Sequence, residues 1–219
     1  AYEIVSRDWS LDVCSSDLHL VDFISLPEIE RANNFKESAD VSAFIQGRYI
    51  VRSELSKLLD CEPRNVPIKL SEHGKPFCPI DNLPKFSISH CKNLVIVGWS
   101  KNEIGVDVEP ADTQLNEPEI QSVLLHPNEK KFYDAKTPEK TSINFLKLFV
   151  LKEAYLKLQG SGLFVDLNQV EIQQISSRIF TGVHGNNKKN IIHLYYLSNS
   201  WIIAVAVLNT KENHVHRSL

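Results

Sequence analysis

The spacing of apolar residues along the chain predicts helices in three main regions. Apolar side chains recur at helical intervals from Glu28 to Phe35 and from about Asp40 to Leu59, as in an amphipathic helix. The clearest pattern runs from Ser142 to Gln159 and is followed by Gly160, a residue type that commonly ends a helix. Weaker signals predict short helices near Glu119–Leu125 and at Lys130–Ala135.

Alternation of apolar and polar residues predicts strands in the remaining regions. Such alternation runs from Phe86 to Ser89, and the residues after His90 suit a hairpin turn. The predicted strands are Lys85–His90, Leu94–Trp99, Ile104–Glu109, Val170–Ile175, Ile191–Leu197 and Trp201–Leu208. The order of helices and strands predicts an α+β fold of two halves, covering residues 1–103 and 104–219.

Composition and charge exclude several classes of protein. Of the 219 residues, 42% are hydrophobic and 23% are charged, which is typical of a globular protein, and a net charge of −3 offers no basic excess for nucleic acid. No apolar run reaches the roughly 20 residues that cross a bilayer and no signal peptide is recognisable, so we expect neither nucleic acid nor a membrane as partner. The four cysteines lie far apart without a CxxC pair, which argues against a zinc site or a disulfide framework and favours the cytoplasm.

The beginning of the chain has an unusual sequence. The chain contains no methionine, and the segment from Asp8 to Leu18 resembles, apart from Leu11, the translation of a common sequencing adapter. We therefore expect the residues before about His19 to be non-native, and no functional inference depends on them. The alternative is an ordinary strand in which Trp9, Leu11 and Val13 face inward.

Two acidic residues lie two positions apart on a predicted strand. Because alternate side chains of a strand share a face, Asp107 and Glu109 point to one side, while Val106 and Val108 point to the other. Carboxylates about 6–7 Å apart repel each other unless a cation lies between them, and oxygen ligands without histidine or cysteine favour Mg²⁺. An Asp-x-Glu pair on a strand is more often a solvated polar face, but the apolar residues around this pair favour a site, so both interpretations stay open.

A third carboxylate lies on the strongest predicted helix. Phe149, Glu153 and Lys157 follow one another at intervals of four and therefore share one helix face. A carboxylate followed by an ammonium on a mostly apolar helix would suit a metal ligand beside a phosphate contact. The alternative is an exposed Glu–Lys pair, which stabilises a helix by only about 0.2–0.5 kcal/mol.

Four short motifs, taken together, resemble the Sfp-type 4′-phosphopantetheinyl transferases over the chain from about Pro27 to Leu208. The motifs stand in family order: Gly74-Lys75-Pro76, Phe86-Ser87-Ile88-Ser89-His90, Gly105-Val106-Asp107-Val108-Glu109, and Lys152-Glu153-Ala154 through Lys157 to Gly160-Ser161-Gly162-Leu163. The resemblance implies two similar α+β halves related by a pseudo-twofold axis, with coenzyme A in the cleft between them. It also implies transfer of 4′-phosphopantetheine from coenzyme A to a serine of an apo acyl or peptidyl carrier protein, which releases adenosine 3′,5′-bisphosphate.

The resemblance also implies roles for individual residues by matched position. The implied Mg²⁺ ligands are Asp107, Glu109 and Glu153. The implied contacts to the phosphates of coenzyme A are Lys75, Ser89, His90 and Lys157, and Arg31 would approach the end that carries the 3′-phosphate. Lys157 and His90 would stabilise the charge that develops in the transition state, and Glu153 would accept the serine proton directly or through a water. A histidine at a strand end can also have a purely structural role.

Three positions depart from the family pattern. Phe149-Val150 stand where relatives usually carry Trp and then Ser or Thr, so the aromatic packing is kept and the indole donor is lost. Cys91 replaces the more usual serine after His90, and a thiol is a weaker hydrogen-bond donor. Phe44 lies on a helix where relatives often carry a polar contact to coenzyme A. We expect the first change to affect core packing and the last to affect nucleotide affinity.

The resemblance would dock the carrier protein on the loop and helix from Ala111 to Leu125. Leu124 and Leu125 could offer apolar contact there or belong to the core. A chain with two similar halves is expected to act as a monomer. Two other functions stay open: another Mg²⁺-dependent phosphoryl-transfer enzyme that uses the same acids, and a non-catalytic binder of carrier proteins.

Overall fold

The structure of the chain is a computed structural model that describes residues 2–8, 20, 22–115, 118–129, 138–162, 165–187 and 189–209. Several sequence predictions concern residues outside these ranges: the helix at Lys130–Ala135, the inward-facing residues Trp9, Leu11 and Val13, and Leu163 of the last motif.

Four α-helices are present within the described ranges, at the positions that the hydrophobic pattern predicts. They are α1 Leu26–Ala32, α2 Ser38–Leu59, α3 Pro118–Leu124 and α4 Pro138–Gln159. Ser25 and Glu28 form a capping box at the start of α1. Gly160 has a φ of +70° and ends α4 in the left-handed region that favours glycine.

The strands of the described residues form two larger sheets and one small hairpin. The strands are β1 Tyr2–Asp8, β2 Lys69–Leu70, β3 Pro76–Phe77, β4 Lys85–Cys91, β5 Leu94–Ser100, β6 Ile104–Pro110, β7 Val170–Gln174, β8 Ile179–His184, β9 Asn190–Leu197 and β10 Trp201–Val207. One sheet has the order β1-β5-β4, the other has the order β6-β10-β9-β8-β7, and β2 pairs with β3. Helix α2 packs against the first sheet and α4 against the second, so the predicted α+β class is confirmed.

Four of the described strands, β1, β2, β3 and β8, are absent from the sequence-based prediction, and β2 and β3 contain only two residues each. The pattern of β8 is weak because the strand is short and contains Gly182 at its centre. A Cβ added at Gly182 would collide with the ring of Tyr155 on α4, so packing against the helix excludes the apolar side chain that would have marked this strand. The change from the first to the second sheet falls between β5 and β6, and the division into halves at residue 103 stays a prediction.

The close contact between α4 and β6 depends on Gly105. A Cβ added at this position would overlap backbone atoms of Ala154 and Leu158, so only a glycine lets the helix lie this close to the strand. Val106 and Val108 are fully buried in a different hydrophobic cluster, together with Leu94 and Ile96 of β5, as the alternation predicts. The other face of β6 is therefore turned toward α4.

The described helices and cysteines also bear on whether a membrane span or a disulfide is present. None of the described helices combines the length and the apolar character needed to span a bilayer. Cys61, Cys78 and Cys91 are free thiols.

Candidate active site

Strand β4 lies beside β6, and side chains of β4 contact successive residues of β6. Ser87 Oγ accepts a hydrogen bond of 3.1 Å from the backbone N–H of Val106, and Ser89 Oγ donates to Asp107 Oδ1 at 2.9 Å. Cys91 Sγ then donates to Glu109 Oε2 at 3.3 Å. These contacts occur in the same order along both strands, so β4 and β6 run in the same direction. The last residues of the β4 motif therefore lie beside the acidic residues of the β6 motif.

Lys157 brings α4 into this cluster. Its Nζ lies 2.7 Å from Asp107 Oδ1 and 2.9 Å from Ser89 Oγ. The Asp107 side chain is only 6% exposed and that of Lys157 is 29% exposed, so the ammonium forms the solvent-facing side of a largely buried pair. The structure therefore joins three of the residues singled out in the sequence: one from β4, one from β6 and one from α4.

The charges of Asp107 and Lys157 act on both Glu109 and Glu153. Burial raises the pKa of Glu153, and the charges of Asp107 and Glu109 raise it further, against a smaller lowering by Lys157. Burial and Asp107 also raise the pKa of Glu109, although the hydrogen bond from Cys91 opposes this. The pKa values of Glu109 and Glu153 are thus both raised, and the charge of Asp107 contributes to each increase.

The residues present fit a divalent cation in donor type and charge. Asp107 Oδ2 is buried and has no hydrogen-bond partner among the described residues, which leaves a carboxylate oxygen available as a ligand. Oxygen donors of this kind suit Mg²⁺. In the described part of the chain, however, no three His, Cys, Asp or Glu side chains are arranged so that they could hold a metal ion together. The residues therefore match a divalent cation in donor type and charge, but the carboxylates would have to turn toward a shared ion to bind it together.

His90 follows Ser89 at the end of β4. Its ring is exposed at the surface, but surrounding protein atoms partly desolvate it, and this effect and the nearby Lys157 ammonium lower its pKa. His90 is therefore biased toward the neutral form. Its part in binding coenzyme A stays a prediction.

Arg31 lies at the end of α1 and contacts Phe44 on α2. The Arg31 guanidinium is 5.7 Å from the centre of the Phe44 ring, and the Arg48 guanidinium is 5.1 Å from it. Arg31 is exposed and Arg48 is buried. Phe44, which replaces a polar residue of the family pattern, thus lies against two cations, and contact of Arg31 with the 3′-phosphate stays a prediction.

Lys75 joins the turn before β3 to the second sheet instead of reaching the acidic cluster. Its Nζ donates to Glu103 Oε2 at 3.0 Å and to the carbonyl oxygen of Ile104 at 3.1 Å. The side chain lines a cleft of about 420 Å³ together with residues that include His73, Phe86 and Gly160. Contact of Lys75 with a phosphate stays a prediction, and this cleft is where a ligand could reach its ammonium.

Lys152 forms a buried ion pair that sequence reasoning did not single out. Its Nζ lies 2.7 Å from Glu129 Oε2, and the two side chains are 0% and 2% exposed. The ammonium also donates to the carbonyl oxygens of Leu124 and Leu167, at 2.7 Å and 3.0 Å, so all three of its protons have acceptors. Glu129 Oε1 accepts from the backbone N–H of Ile172 at 2.7 Å. The available signal for this role was that the positions three and four residues away on the helix are all apolar: Leu148, Phe149, Tyr155 and Leu156.

An apolar groove lies beside Phe149, at the N-terminal end of the α4 face that also carries Glu153 and Lys157. It has a volume of about 350 Å³ and is lined by Leu115, Ile120, Val123, Leu124, Phe149 and Leu167. Leu124 is buried and Leu125 packs partly buried against the same core cluster, so both belong mainly to the core. Val123 is 55% exposed and supplies the accessible apolar surface. Phe149, which stands in place of the family tryptophan, lines the groove and packs against the core.

Comparison with known proteins finds similarity to one superfamily. A family model for the 4′-phosphopantetheinyl transferase superfamily matches residues 103–206, slightly less than half of the chain. The matched segment includes β6 and α4, and therefore Asp107, Glu109, Glu153 and Lys157. Ser89 and His90 precede it.

Several curated relatives carry the same description. The chain is 27% identical to the 4′-phosphopantetheinyl transferase gsp of Aneurinibacillus migulanus, over 71% of this chain and 63% of the relative. It is 28% identical to the 4′-phosphopantetheinyl transferase Sfp of Bacillus subtilis, over 69% of this chain and 66% of the relative. It is also 28% identical to the 4′-phosphopantetheinyl transferase HetI of Nostoc sp., over 75% of this chain and 72% of the relative. The match thus spans slightly less than two thirds of the gsp protein.

Proposed function

We propose that this protein is a 4′-phosphopantetheinyl transferase, which transfers the 4′-phosphopantetheine group from coenzyme A to a serine of an apo carrier protein and releases adenosine 3′,5′-bisphosphate. The observation that carries the proposal is the buried pair of Asp107 and Lys157, with Ser89 bonded to both and with Glu109 and Glu153 alongside. An ammonium beside grouped carboxylates is the arrangement that a diphosphate with a divalent cation requires. The names of the relatives support the same reaction.

The acids would hold the cation, and the basic groups would hold the diphosphate. Asp107, Glu109 and Glu153 are the proposed Mg²⁺ ligands, and the unpartnered Asp107 Oδ2 supports this assignment. When bound, Mg²⁺ would neutralise negative charge on the diphosphate. Lys157 Nζ, held at 2.7 Å by Asp107, would bind a phosphate oxygen from the other side. His90 and Ser89 would complete the contacts at the end of β4.

Glu153 is the proposed base. Since burial and the two neighbouring acids raise its pKa, its carboxylate is a stronger proton acceptor than that of an exposed glutamate. The carrier serine oxygen would attack the phosphorus of the pantetheine phosphate and form a new P–O bond. The bond from that phosphorus to the oxygen of adenosine 3′,5′-bisphosphate would break, and the serine proton would pass to Glu153. Lys157 would stabilise the negative charge that develops on the phosphate oxygens.

The order of the cleft, the charged residues and the groove along α4 supports separate binding places for coenzyme A and the carrier protein. Gly160 lines the cleft beside Lys75, Lys157 and Glu153 follow on the same face, and Phe149 lines the apolar groove. At roughly 1.5 Å per residue, the cleft and the groove are about 16 Å apart along the helix, with the charged groups between them. We propose that coenzyme A enters from the cleft and that a helix of the carrier protein docks on the groove. The reaction would then take place between the two.

The decisive experiment is an assay of carrier-protein mass. The chain is incubated with coenzyme A, Mg²⁺ and an apo carrier protein, and the carrier is weighed by mass spectrometry. A mass gain of one phosphopantetheine group that requires coenzyme A and disappears with EDTA supports the proposal. No gain with folded protein and several carriers would overturn it, and hydrolysis of other phosphodiesters without coenzyme A would favour another Mg²⁺-dependent enzyme.

The groove can be tested separately with one substitution and a matched control. Val123→Glu places a charge on the groove and should raise the KM for the carrier roughly tenfold, with the KM for coenzyme A unchanged. Ile175→Glu changes a residue of similar exposure, 65% against 55%, at the end of β7 and should have no effect on either KM. Equal kinetics of Val123→Glu and wild type would exclude the groove as the docking surface.

A further inference from the structure

Cys91 and Glu109 form a direct contact that the proposed reaction does not use. Cys91 Sγ lies 3.3 Å from Glu109 Oε2, within the range of a hydrogen bond to sulfur. An ionised carboxylate has acceptors only, so the thiol must donate the proton of this bond. Among the described residues, the Glu109 side chain makes no other hydrogen bond or ion pair, so its second carboxylate oxygen is available to a ligand.

The two residues differ in how firmly they are held. Cys91 ends β4, pairs in register with Leu94 of β5, and packs partly buried against the cluster that contains Val108. Glu109 has three side-chain torsions and lies near the end of β6, where it is half-buried. The thiol therefore has a fixed position from which it can restrict a longer, more mobile side chain.

We propose that Cys91 is a positioning residue for Glu109. Its thiol holds Oε2 so that the carboxylate faces Asp107, and Oε1 remains free for the cation. The proposal rests on the proposed function, since it concerns a carboxylate assigned there to the cation. It also gives a reason for a residue that departs from the family pattern: the thiol keeps the donor that serine would provide, at the longer distance that sulfur requires.

Metal binding tests the proposal without using transfer activity. The probe is Mn²⁺, added to the protein without coenzyme A, and binding is followed by the loss of the free-ion electron paramagnetic resonance signal. Loss of a hydrogen-bond partner of a metal ligand typically costs 10–100-fold in affinity, and we expect Cys91→Ala to bind Mn²⁺ about 10-fold more weakly. Cys91→Ser keeps a donor and should bind close to wild type. Cys61→Ala removes another half-buried thiol, on the N-terminal core, and should leave binding unchanged.

The hydrogen bond itself has a spectroscopic signature. The S–H stretching band absorbs in an infrared region clear of other protein bands, so a difference spectrum of wild type minus Cys91→Ala isolates this thiol. We expect that band at lower frequency than the band isolated with Cys61→Ala. In Glu109→Gln, whose neutral amide oxygen is a weaker acceptor, the band should move back toward higher frequency.

The outcomes separate this proposal from the proposed function. If wild type binds Mn²⁺, Asp107→Asn does not, and Cys91→Ala binds as well as wild type, the positioning role is wrong and the metal site stands. If wild type and Asp107→Asn bind Mn²⁺ equally, the metal assignment fails and the positioning role fails with it. Equal loss of affinity in Cys91→Ser and Cys91→Ala would show that packing of sulfur matters and the donor does not, which also overturns the proposal.

Discussion

Lys157 Nζ lies 2.7 Å from Asp107 Oδ1, and Ser89 Oγ is within hydrogen-bond distance of both atoms. The three groups form a closed triangle that ties α4 to β6 and to β4 of the other sheet. Because the Asp107 side chain is only 6% exposed, its charge is screened little by solvent, and the ammonium is held at a fixed position. The same contact therefore stabilises the junction of the two sheets and presents a cation at the candidate site.

Lys157→Met should reduce transfer activity far more than stability. Removal of one group that stabilises transition-state charge typically lowers kcat by roughly 10²–10³-fold, and we expect a loss in this range. The free energy of unfolding should fall less than when a fully buried ion pair is broken, because the Lys157 ammonium is 29% exposed and Ser89 still bonds the Asp107 carboxylate. Steady-state kinetics and urea denaturation measure the two effects. Lys147→Met, which changes another lysine of α4, is the control, and unchanged kcat in Lys157→Met would contradict the assignment.

Glu153→Gln should abolish transfer and stabilise the metal-free protein. The amide cannot accept the serine proton or ligate as an anion, so turnover should fall to background. The folded state raises the pKa of Glu153, which means that its ionised form is disfavoured by folding, and neutralisation should raise Tm in EDTA by a few degrees. Near-normal turnover of a pure, folded variant would refute the role of Glu153, and a lower Tm would contradict the electrostatic account.

Lys152→Met should reduce stability far more than transfer activity, which is the reverse of the result expected for Lys157→Met. The substitution leaves Glu129 buried without its counter-charge, and it removes the donor to the Leu124 and Leu167 carbonyls. Breaking a buried ion pair in this way typically costs about 3–5 kcal/mol of unfolding free energy. Urea denaturation of the two lysine variants side by side checks the contrast. An equal loss of stability in both would show that burial does not distinguish them.

Glu28 should make the N-terminal half sensitive to acid. Burial by itself raises the pKa of Glu28, but hydrogen bonds from Arg52 and Ser25 and the charges of Arg52 and Arg48 outweigh this effect, so the net pKa is lowered. A lowered folded-state pKa gives stability that is present above the unfolded-state pKa and is lost as pH falls through the folded-state value.

Urea midpoints measured from about pH 7 down to about pH 3 should therefore fall in the wild type from roughly pH 5 downward. Glu28→Gln should be less stable at neutral pH, and its midpoint should change less over the same range, because the variant has no proton to bind at this position. An identical pH profile of the two proteins would contradict the contribution of the contact of 2.6 Å between Glu28 and Arg52.

Some features of the site follow from local sequence. The alternation in β6 placed Asp107 and Glu109 opposite Val106 and Val108, and the intervals of four along α4 placed Phe149, Glu153 and Lys157 on one face. Both statements concern side chains of a single element, whose geometry is fixed by the repeat of a strand or a helix. The residue types in that order were sufficient to indicate the family and a phosphate chemistry.

Other features depend on which elements pack together, and the periodicity of one segment contains no information about its neighbours in space. The resemblance implies a phosphate contact for Lys75, which stays a prediction, and only the tertiary structure shows that its ammonium bonds Glu103 and the Ile104 carbonyl at the edge of a cleft. The sequence left Lys152 without a role, and only the packing of α4 shows that this charge is fully buried against Glu129.

The amino-acid sequence by itself thus determined the described α-helices, most of the described strands, the orientation of the acids on their elements and the resemblance to the 4′-phosphopantetheinyl transferases. Only the tertiary structure decided that β4 runs beside β6, which brings Ser89 to Asp107 and Cys91 to Glu109, and that Gly105 lets α4 lie close enough for Lys157 to join them. The physical reason is that side-chain direction is set by backbone geometry over a few residues. Contact between distant segments is set by the packing of the whole chain.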